Sequence, residues 1–282
     1  MIVVTGATGA LNGATADHLL ERLPASDIAV AVRDTARARR FADVGVEVRH
    51  ADYADPSSLS TAFAGADQVL LVSSSDPGAD AVALHTRAID AAVAAGVGRI
   101  LYTSHQGAAA DSPFRPARDH AATETALAAC GVPWTALRNG FYAHSLDLVM
   151  GDWRDTGVVS IPVDGAVSWT AREDSAEAAA VILASADGID GPATVTARDA
   201  LTFEEVVALA SASVGREISL EVVGEEQWVA ARVAEGTNEF MARFTLGIFQ
   251  AAHQGGFAAT DPLLAALLGR EPRTVQHVLG AS

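Results

Sequence analysis

The chain has 282 residues, 50% of them hydrophobic, and a formal net charge of −16 at pH 7. This acidity disfavours nonspecific binding to nucleic acid or to an anionic membrane surface. All 19 basic residues are arginine, which excludes every mechanism that requires a lysine.

Location and partners follow from what the sequence lacks. No apolar run approaches the roughly 20 residues that span a bilayer, and the amino terminus has no signal-peptide pattern. The single cysteine, Cys130, cannot form an internal disulfide. We therefore expect a cytoplasmic protein with no membrane partner, no nucleic-acid partner and no metal site. Its oligomeric state stays open, and a homodimer is one option.

Short apolar runs alternate with helical patterns through the first half of the chain. These runs cover 2–5, 28–32, 46–49, 68–72, 99–103 and 134–137. Such alternation predicts an α/β fold, a Rossmann-like doubly wound parallel sheet with helices on both faces. Ligands of such sheets bind beyond the carboxyl ends of the strands, so the loops that follow the runs are the places to search.

The rhythm changes after residue 150. Short strands are predicted at 158–162 and 193–196, and helices at 175–186 and 203–214. Thr202, followed by Glu205 at the third helical position, predicts a capping box. We expect a nucleotide-binding domain over 1–150 and a smaller C-terminal α/β substrate lobe over 151–282, interleaved in one compact unit.

The stretch "TGATGALNGATADHLL" (5–20) follows an apolar strand and opens a helix, the context in which helix-terminal amides hold a pyrophosphate. Asn12 replaces the third glycine of a G-x-x-G-x-x-G pattern, and Gly13 comes one step later. Helical phase places Asn12 about 30° and Gly13 about 70° from the centre of the buried stripe. Asn12 is therefore predicted to face the sheet. Its amide either reaches a phosphate or only widens the gap between helix and sheet.

The second strand ends in Arg33, where NAD sites typically have Asp or Glu. Arg33, Arg37, Arg39 and Arg40 all lie within eight residues. Guanidinium groups suit multidentate phosphate recognition, so Arg33 with Arg37 predicts NADP(H). NAD(H) is the alternative, because Asp34 follows directly. Arg39 and Arg40 are interpreted as a solvated helix face.

Further motifs accompany the loop and Arg33, namely "HADYAD" (50–55), "LLVSSS" (70–75), "YTS" (102–104), "LRNGFY" (137–142) and "TAREDSAEAAAVIL" (170–183). With them the chain resembles the NmrA-like atypical short-chain dehydrogenases, and within these the bacterial NADPH-dependent quinone oxidoreductases of type 2. The resemblance extends over nearly the whole chain, to "GGFAATDPLLAALLGREPRT" (255–274).

The resemblance implies a role for each matching position. In chain order, the implied residues contact first the pyrophosphate and the 2′-phosphate, then the adenine, the ribose and the nicotinamide. The implied contacts are Gly6, Thr8, Gly9, Ala10 and Leu11 for the pyrophosphate, Arg33 for the 2′-phosphate, Asp52 and Tyr53 for the adenine, Ser73, Ser74 and Ser75 for the ribose, and Thr103, Ser104, Asn139 and Gly140 for the nicotinamide. Phe141, Tyr142 and the lobe after residue 150 would form the substrate cleft.

Ordinary short-chain dehydrogenases have a Tyr-x-x-x-Lys pair where this chain has His120 and Glu124. These two are four residues apart on a predicted helix and are interpreted as a hydrogen-bonded surface pair. Quinone reduction tolerates the missing lysine, because hydride addition gives a stabilised hydroquinone anion.

A hydrogen-bond donor would still help as charge develops on the substrate. Tyr142 is the first candidate, followed by His105, Gln106 and Asn139. Trp169 and Phe249, with Phe240 and Phe244, are candidates for an apolar substrate cleft, although aromatic residues at such spacing often belong to the core.

The expected function is therefore that of an NADPH-dependent oxidoreductase. Its substrate would be a quinone or a related electron-poor aromatic compound, including polycyclic natural products. Two alternatives stay open. One is a nicotinamide-dependent tailoring enzyme that consumes oxygen, and the other is a non-catalytic NAD(P)-sensing regulator.

Overall fold

The computed structural model of the protein describes residues 1–74, 76 and 78–280. The predicted contact of Ser75 with a ribose lies outside these residues. The strands are β1 (Ile2–Thr5), β2 (Ile28–Val32), β3 (Glu47–His50), β4 (Gln68–Leu71), β5 (Arg99–His105), β6 (Trp134–Asn139), β7 (Val158–Ile161), β8 (Gly191–Val195) and β9 (Ser219–Val222).

Helices follow most of the strands. They are α1 (Ala10–Leu20), α2 (Arg39–Ala42), α3 (Pro56–Ala62), α4 (Ala81–Ala94), α5 (Arg115–Ala129), α6 (Leu146–Met150), α7 (Trp153–Thr156), α8 (Arg172–Ala184), α9 (Phe203–Val214), α10 (Glu225–Ala234), α11 (Glu239–His253), α12 (Leu263–Leu268) and α13 (Val275–Gly280). Across the described ranges, no helix is both long and apolar enough to cross a membrane.

Seven strands form one sheet in the order β3-β2-β1-β4-β5-β6-β8. The neighbours β1 and β2, β1 and β4, β2 and β3, and β4 and β5 are parallel. Every residue of β1 and β2 is buried, as expected for central strands covered on both faces. The predicted doubly wound parallel sheet is thus confirmed, and its order reverses between β1 and β4, where such sheets bind ligands.

Element bounds agree closely with the pattern in the sequence. The bounds of β1, β2 and α9 are as predicted, whereas β5 and β6 each run two residues further. The capping box is confirmed, because Thr202 Oγ1 accepts the Glu205 N–H at 3.2 Å and Glu205 Oε2 accepts the Thr202 N–H at 2.8 Å. The longer β5 ends at His105, two residues beyond the apolar run at 99–103.

The chain divides into two compact units. The first comprises Met1–Ser104, Asp119–Arg138 and Glu173–Ala193. The second comprises His105–Arg118, Asn139–Arg172 and Thr194–Ser282. These ranges interleave along the chain, and a domain boundary at residue 150 stays a prediction.

Each unit has its own apolar core. In the first unit, apolar side chains of β1, β2, β4 and β5 pack with those of α3 and α4, and Phe63 and Tyr102 are fully buried. The second unit contains the parallel pair of β7 and β9, and a core rich in aromatic rings that includes Trp153 and Phe203. Because these cores fix the ends of the strands, they also fix the loops described next.

Candidate functional site

A cavity of about 740 Å³ opens in the first unit at the carboxyl ends of β1, β2 and β4. Nine predicted cofactor residues lie in its wall, namely Gly6, Thr8, Gly9, Arg33, Arg37, Asp52, Tyr53, Ser73 and Ser74. The wall, as far as the described residues define it, does not include the other predicted cofactor residues, namely Ala10, Leu11, Asn12, Thr103, Ser104, Asn139 and Gly140. The cavity thus lies where the sheet order reverses, the expected place for a nucleotide.

Glycine is required at the start of this cavity. Gly6 has a φ of +63°, and a Cβ at this position would lie 2.6 Å from Cγ1 of Val72. The Gly6 N–H donates to the Ala31 carbonyl at 2.9 Å, which ties the loop to β2. Gly9 is the N-cap of α1, and no side chain caps this end. The first amides of a helix lack partners within the helix, so the end of α1 suits the pyrophosphate of a dinucleotide.

Asn12 faces the sheet, as the helical phase predicted. It is 1% exposed, and its Nδ2 donates to the Thr5 carbonyl at 2.8 Å, so the amide ties α1 to the end of β1. The Asn12 amide therefore has a partner in the sheet, and both a wider gap between α1 and the sheet and a contact between Asn12 and a phosphate stay predictions. The first turn of α1 lies so close to the preceding loop that position 13 requires glycine, because a Cβ on Gly13 would lie 2.8 Å from the Ala7 carbonyl oxygen.

The arginines after β2 have different partners. Arg33 Nη1 donates to Asp76 Oδ2 at 2.8 Å, and both side chains line the cavity. Arg37 also lines it. Arg39 pairs with Asp43 at 3.8 Å, and Arg40 binds Asp17 through two hydrogen bonds. Arg39 and Arg40 thus lie on a charged helix surface as interpreted, whereas Arg33 and Arg37 reach the site.

Tyr53 closes the cavity between β1 and β4. Its hydroxyl lies 2.7 Å from Thr5 Oγ1 and 3.1 Å from the Val72 carbonyl. Burial raises the pKa of the Tyr53 hydroxyl, which stays protonated. Asp52 Oδ1 accepts the N–H of Ala54 at 2.9 Å, so its carboxylate stabilises the local turn. Hydrogen bonds therefore hold both residues of the predicted adenine-binding segment, and the structure adds Thr5 to the residues that shape the cavity.

His85 supports the cavity from beneath, and sequence reasoning missed it. Its Nε2 accepts the backbone N–H of Ser74 at 2.7 Å, and its Nδ1 lies 2.9 Å from Thr123 Oγ1. Since Nε2 accepts, the neutral ring carries its proton on Nδ1 and donates it to Thr123. Burial lowers the pKa of His85 to about 4. The signal in the sequence was its position four residues before Ile89, on the buried stripe of α4.

His120 and Glu124 do not form the expected surface pair. The Nδ1 of His120 lies 2.8 Å from the Tyr102 hydroxyl. Glu124 is 7% exposed and accepts two hydrogen bonds from Arg138 Nε, one from Arg138 Nη2 and one from Ser104 Oγ at 2.6 Å. The interpretation was wrong because α5 packs these side chains against β5 and β6, where longer-range partners are available.

Asn139 and Tyr142, two of the predicted catalytic residues, contact each other in the second unit. Asn139 Nδ2 donates to the Tyr142 hydroxyl at 3.1 Å, and burial raises the pKa of Tyr142 to about 12. The hydroxyl is therefore protonated at neutral pH and can donate a hydrogen bond. Between them, Gly140 is required by close packing, since a Cβ there would lie 2.8 Å from Cβ of Thr170.

The structure gives His105 and Gln106 structural contacts. The ring of His105 lies 5.3 Å from that of Phe141 and 5.1 Å from that of Phe257, and burial lowers its pKa to about 4. Its Nδ1 accepts the Gly107 N–H at 3.0 Å, so the proton of the neutral ring is on Nε2. Gln106 Nε2 donates to the Phe257 carbonyl at 2.6 Å. A catalytic role for either residue stays a prediction.

Three of the predicted substrate residues belong to the aromatic core of the second unit. Trp169 is 1% exposed, Phe249 is fully buried and Phe141 is 8% exposed. Trp169 packs on Phe203 with ring centroids 5.7 Å apart, and Phe203 packs on Phe249 at 5.1 Å. Trp169 and Phe249 therefore lie in the core, and a contact of either ring with a substrate stays a prediction.

Comparison with known proteins agrees with this geometry. The model of the NmrA-like family matches residues 1–249. Quinone oxidoreductase 2 of Escherichia coli (strain K12) is 34% identical over 277 residues, which cover 98% of this chain and 96% of that protein. The NAD(P)H azoreductase of Xenophilus azovorans is 30% identical over 97% of this chain and 95% of that protein.

A solved structure is similar over the full chain. The crystal structure of Citrobacter sp. triphenylmethane reductase, complexed with NADP(H), has a TM-score of 0.92 and 32% sequence identity. The similarity covers 100% of this chain and 99% of that one. The similarity in sequence and the similarity in fold therefore point to the same family of proteins.

Proposed function

The chain belongs to the NmrA-like family, and on that premise we propose that it is an NADPH-dependent reductase of quinones or related electron-poor aromatic compounds. That it is an NAD(P)H-dependent oxidoreductase follows from its similarity, over nearly its whole length, to the quinone oxidoreductase and the triphenylmethane reductase. The quinone class of substrate and the roles of individual residues belong to the proposal.

The cavity of the first unit is the observation that carries the proposal. Its volume of about 740 Å³ and its place at the reversal of the sheet order suit a dinucleotide. Gly6 leaves room that a Cβ would fill, and Gly9 brings the start of α1 to the same wall. Arg33 and Arg37 line the same cavity, and two guanidinium groups suit the 2′-phosphate of NADPH, which supports the proposal. The residues present therefore fit NADPH.

When bound, NADPH supplies a hydride. The residues of the first unit have the task of binding and orienting it, through Gly6, Thr8 and Gly9 at the pyrophosphate and Arg33 at the 2′-phosphate. The chain has no lysine to lower the pKa of a catalytic tyrosine. A quinone is a suitable substrate for a site without lysine, because hydride addition gives a weakly basic hydroquinone anion. A neutral hydrogen-bond donor can stabilise this anion without transferring a proton during the hydride step.

Tyr142 is the proposed hydrogen-bond donor to the developing oxyanion. With a pKa of about 12, its hydroxyl keeps its proton throughout the neutral range. The Tyr142→Phe variant removes the donor and keeps the ring, and loss of one such donor lowers kcat by about 10²-fold or more. Stopped-flow oxidation of NADPH by a quinone measures this effect. An unchanged kcat would remove Tyr142 from the mechanism.

The proposal is tested with the purified chain, NADPH and a panel of quinones that includes a polycyclic one. Nicotinamide absorbance and dissolved oxygen are followed together, with each hydroquinone alone as the control for autoxidation. Quinone-dependent oxidation of NADPH supports the reductase. Binding of NADPH without its oxidation by any quinone would overturn it and support a sensing role. Oxygen uptake beyond the autoxidation control would support the oxygen-consuming alternative.

Replacement of Arg33 by Ala tests the preference for NADPH. A charge-assisted hydrogen bond to phosphate contributes about 1.5–3 kcal/mol, so the Kd of NADPH rises by tenfold or more while that of NADH changes little. Isothermal titration calorimetry measures both. Arg39→Ala, which removes the same charge outside the cavity, is the control. Equal losses for the two nucleotides in Arg33→Ala would contradict the assignment.

A further inference from the structure

The ion pair of Arg33 with Asp76 occupies the position at which the 2′-phosphate is expected. Arg33 Nη1 and Asp76 Oδ2 are 2.8 Å apart, and both residues line the cavity. Their side chains are 65% and 46% exposed, so a ligand can reach both. A phosphate that binds Arg33 therefore meets a carboxylate that already holds the same guanidinium.

The other carboxylates in the cavity wall have different tasks. Asp34 Oδ1 accepts the N–H of Ala36 at 3.0 Å, and Asp52 Oδ1 accepts that of Ala54 at 2.9 Å. Both therefore stabilise local turns of the backbone. Among the described residues of the wall, Asp76 alone binds a cation that also lines the cavity. Its effect on an anionic ligand is thus direct.

We propose that Asp76 determines nucleotide specificity by competing with the 2′-phosphate for Arg33, which narrows the preference for NADPH over NADH. This inference rests on the proposed function, since it requires a dinucleotide in the cavity. The 2′-phosphate carries up to two negative charges, and it must displace the carboxylate or bind beside it. NADH has no such phosphate, and the pair of Arg33 and Asp76 stays intact when NADH binds.

Asp76 could also raise the affinity for the 2′-phosphate, if its carboxylate held the Arg33 guanidinium in the orientation that the phosphate requires. Exposed ion pairs contribute little to the order of a side chain, because water screens them. The repulsion between a phosphate and a carboxylate that share one guanidinium is the larger effect, since both anions approach to hydrogen-bond distance. The two effects have opposite signs, so one measurement separates them.

Arg37 explains how the site still binds NADPH. It lines the same cavity, and no ion pair of its guanidinium is found in the part of the chain that the structure describes. A 2′-phosphate can therefore bind Arg37 while Asp76 holds Arg33. Full use of both arginines requires the release of Asp76, and this release is the step that lowers the affinity.

The experiment measures the affinities of NADP⁺, NAD⁺ and adenosine 2′-monophosphate for the full chain by isothermal titration calorimetry. Asp76→Asn removes the charge and keeps the shape. The expected result is a threefold to fivefold gain, on the order of what an exposed charge contributes, for NADP⁺ and adenosine 2′-monophosphate. NAD⁺ changes by less than about twofold, on the same reasoning. Asp76→Glu restores the charge and the wild-type ratio of affinities.

Asp43→Asn is the matched control, because it removes the same charge from an exposed ion pair outside the cavity, that with Arg39. An equal gain in this variant would attribute the effect to the net charge of the protein and overturn the inference. A loss of NADP⁺ affinity in Asp76→Asn, or equal gains for NADP⁺ and NAD⁺, would also overturn it. Wild-type protein that binds neither nucleotide would overturn the proposed function, whereas wild-type binding with an unchanged Asp76→Asn variant overturns the inference alone.

Discussion

Gly6→Ala is the substitution for which the structure gives the sharpest expectation. At φ +63° an added Cβ is strained by itself, which costs about 1 kcal/mol of unfolding free energy. The Cβ would also lie 2.6 Å from Cγ1 of Val72, and overpacking of this kind costs about 1–3 kcal/mol more. Together these effects lower the unfolding free energy by about 2–4 kcal/mol.

Gly65→Ala provides a matched control. Gly65 has a φ of +71°, and nothing lies within 4 Å of an added Cβ. This variant carries the backbone strain without the clash and should lose only about 1 kcal/mol. Urea denaturation at pH 7 measures the unfolding free energy of both variants. The difference between them reports the contact with Val72.

Val72→Ala completes the test, since it removes the atom that the new Cβ would meet. In the double variant, Gly6→Ala should cost about 1–2 kcal/mol less than in the wild type, as expected for residues in direct contact. Titration with NADP⁺ then shows whether the restored loop also binds the nucleotide. Equal losses in Gly6→Ala and Gly65→Ala, or additive effects with Val72→Ala, would refute the packing argument.

Two further predictions concern buried polar groups. Because burial lowers the pKa of His85 from 6.5 to about 4, the unfolded chain binds a proton that the folded chain resists. The unfolding free energy should therefore fall as the pH drops from 6.5 toward 4, by up to about 1.4 kcal/mol per pH unit from this group. Burial also lowers the pKa of His105 to about 4, so His105 adds a slope of the same sign, and His85→Gln should reduce the slope in urea denaturation but not abolish it. Glu124→Gln leaves the guanidinium of Arg138 without its charged partner and should cost about 2–4 kcal/mol, less than a fully buried pair because Arg138 is 29% exposed. Asp17→Asn, at the exposed pair with Arg40, should cost under about 1 kcal/mol, and equal costs would contradict the argument from burial.

The sequence by itself determined the features that depend on neighbours along the chain. The bounds of β1 and β2 follow from uninterrupted apolar runs, and the capping box of Thr202 and Glu205 spans only three residues. The phase of α1 was enough to place Asn12 against the sheet, because a regular helix fixes which side chains share a face. The loop at Gly6 and the cavity residue Arg33 could also be predicted from the sequence, because each directly follows a strand that an apolar run marks.

Tertiary structure decided which partner each polar side chain has. Sequence pattern suggested that His120 binds Glu124, yet Glu124 binds Arg138, 14 residues away. Asp76 lies 43 residues from Arg33, and His85 contacts Ser74 across 11. Spacing along one helix gives no information about such contacts, because the sheet brings together strands that are distant in sequence.

The same limit applies to burial in the second unit. Trp169 and Phe249 are large aromatic residues of the kind that line substrate clefts. Only the packing shows that their rings contact Phe203 in the core. An aromatic side chain has the same hydrophobicity in a cleft and in a core. The sequence therefore determined the fold and nine residues of the cavity wall, whereas the three-dimensional contacts decided which side chains a ligand can reach.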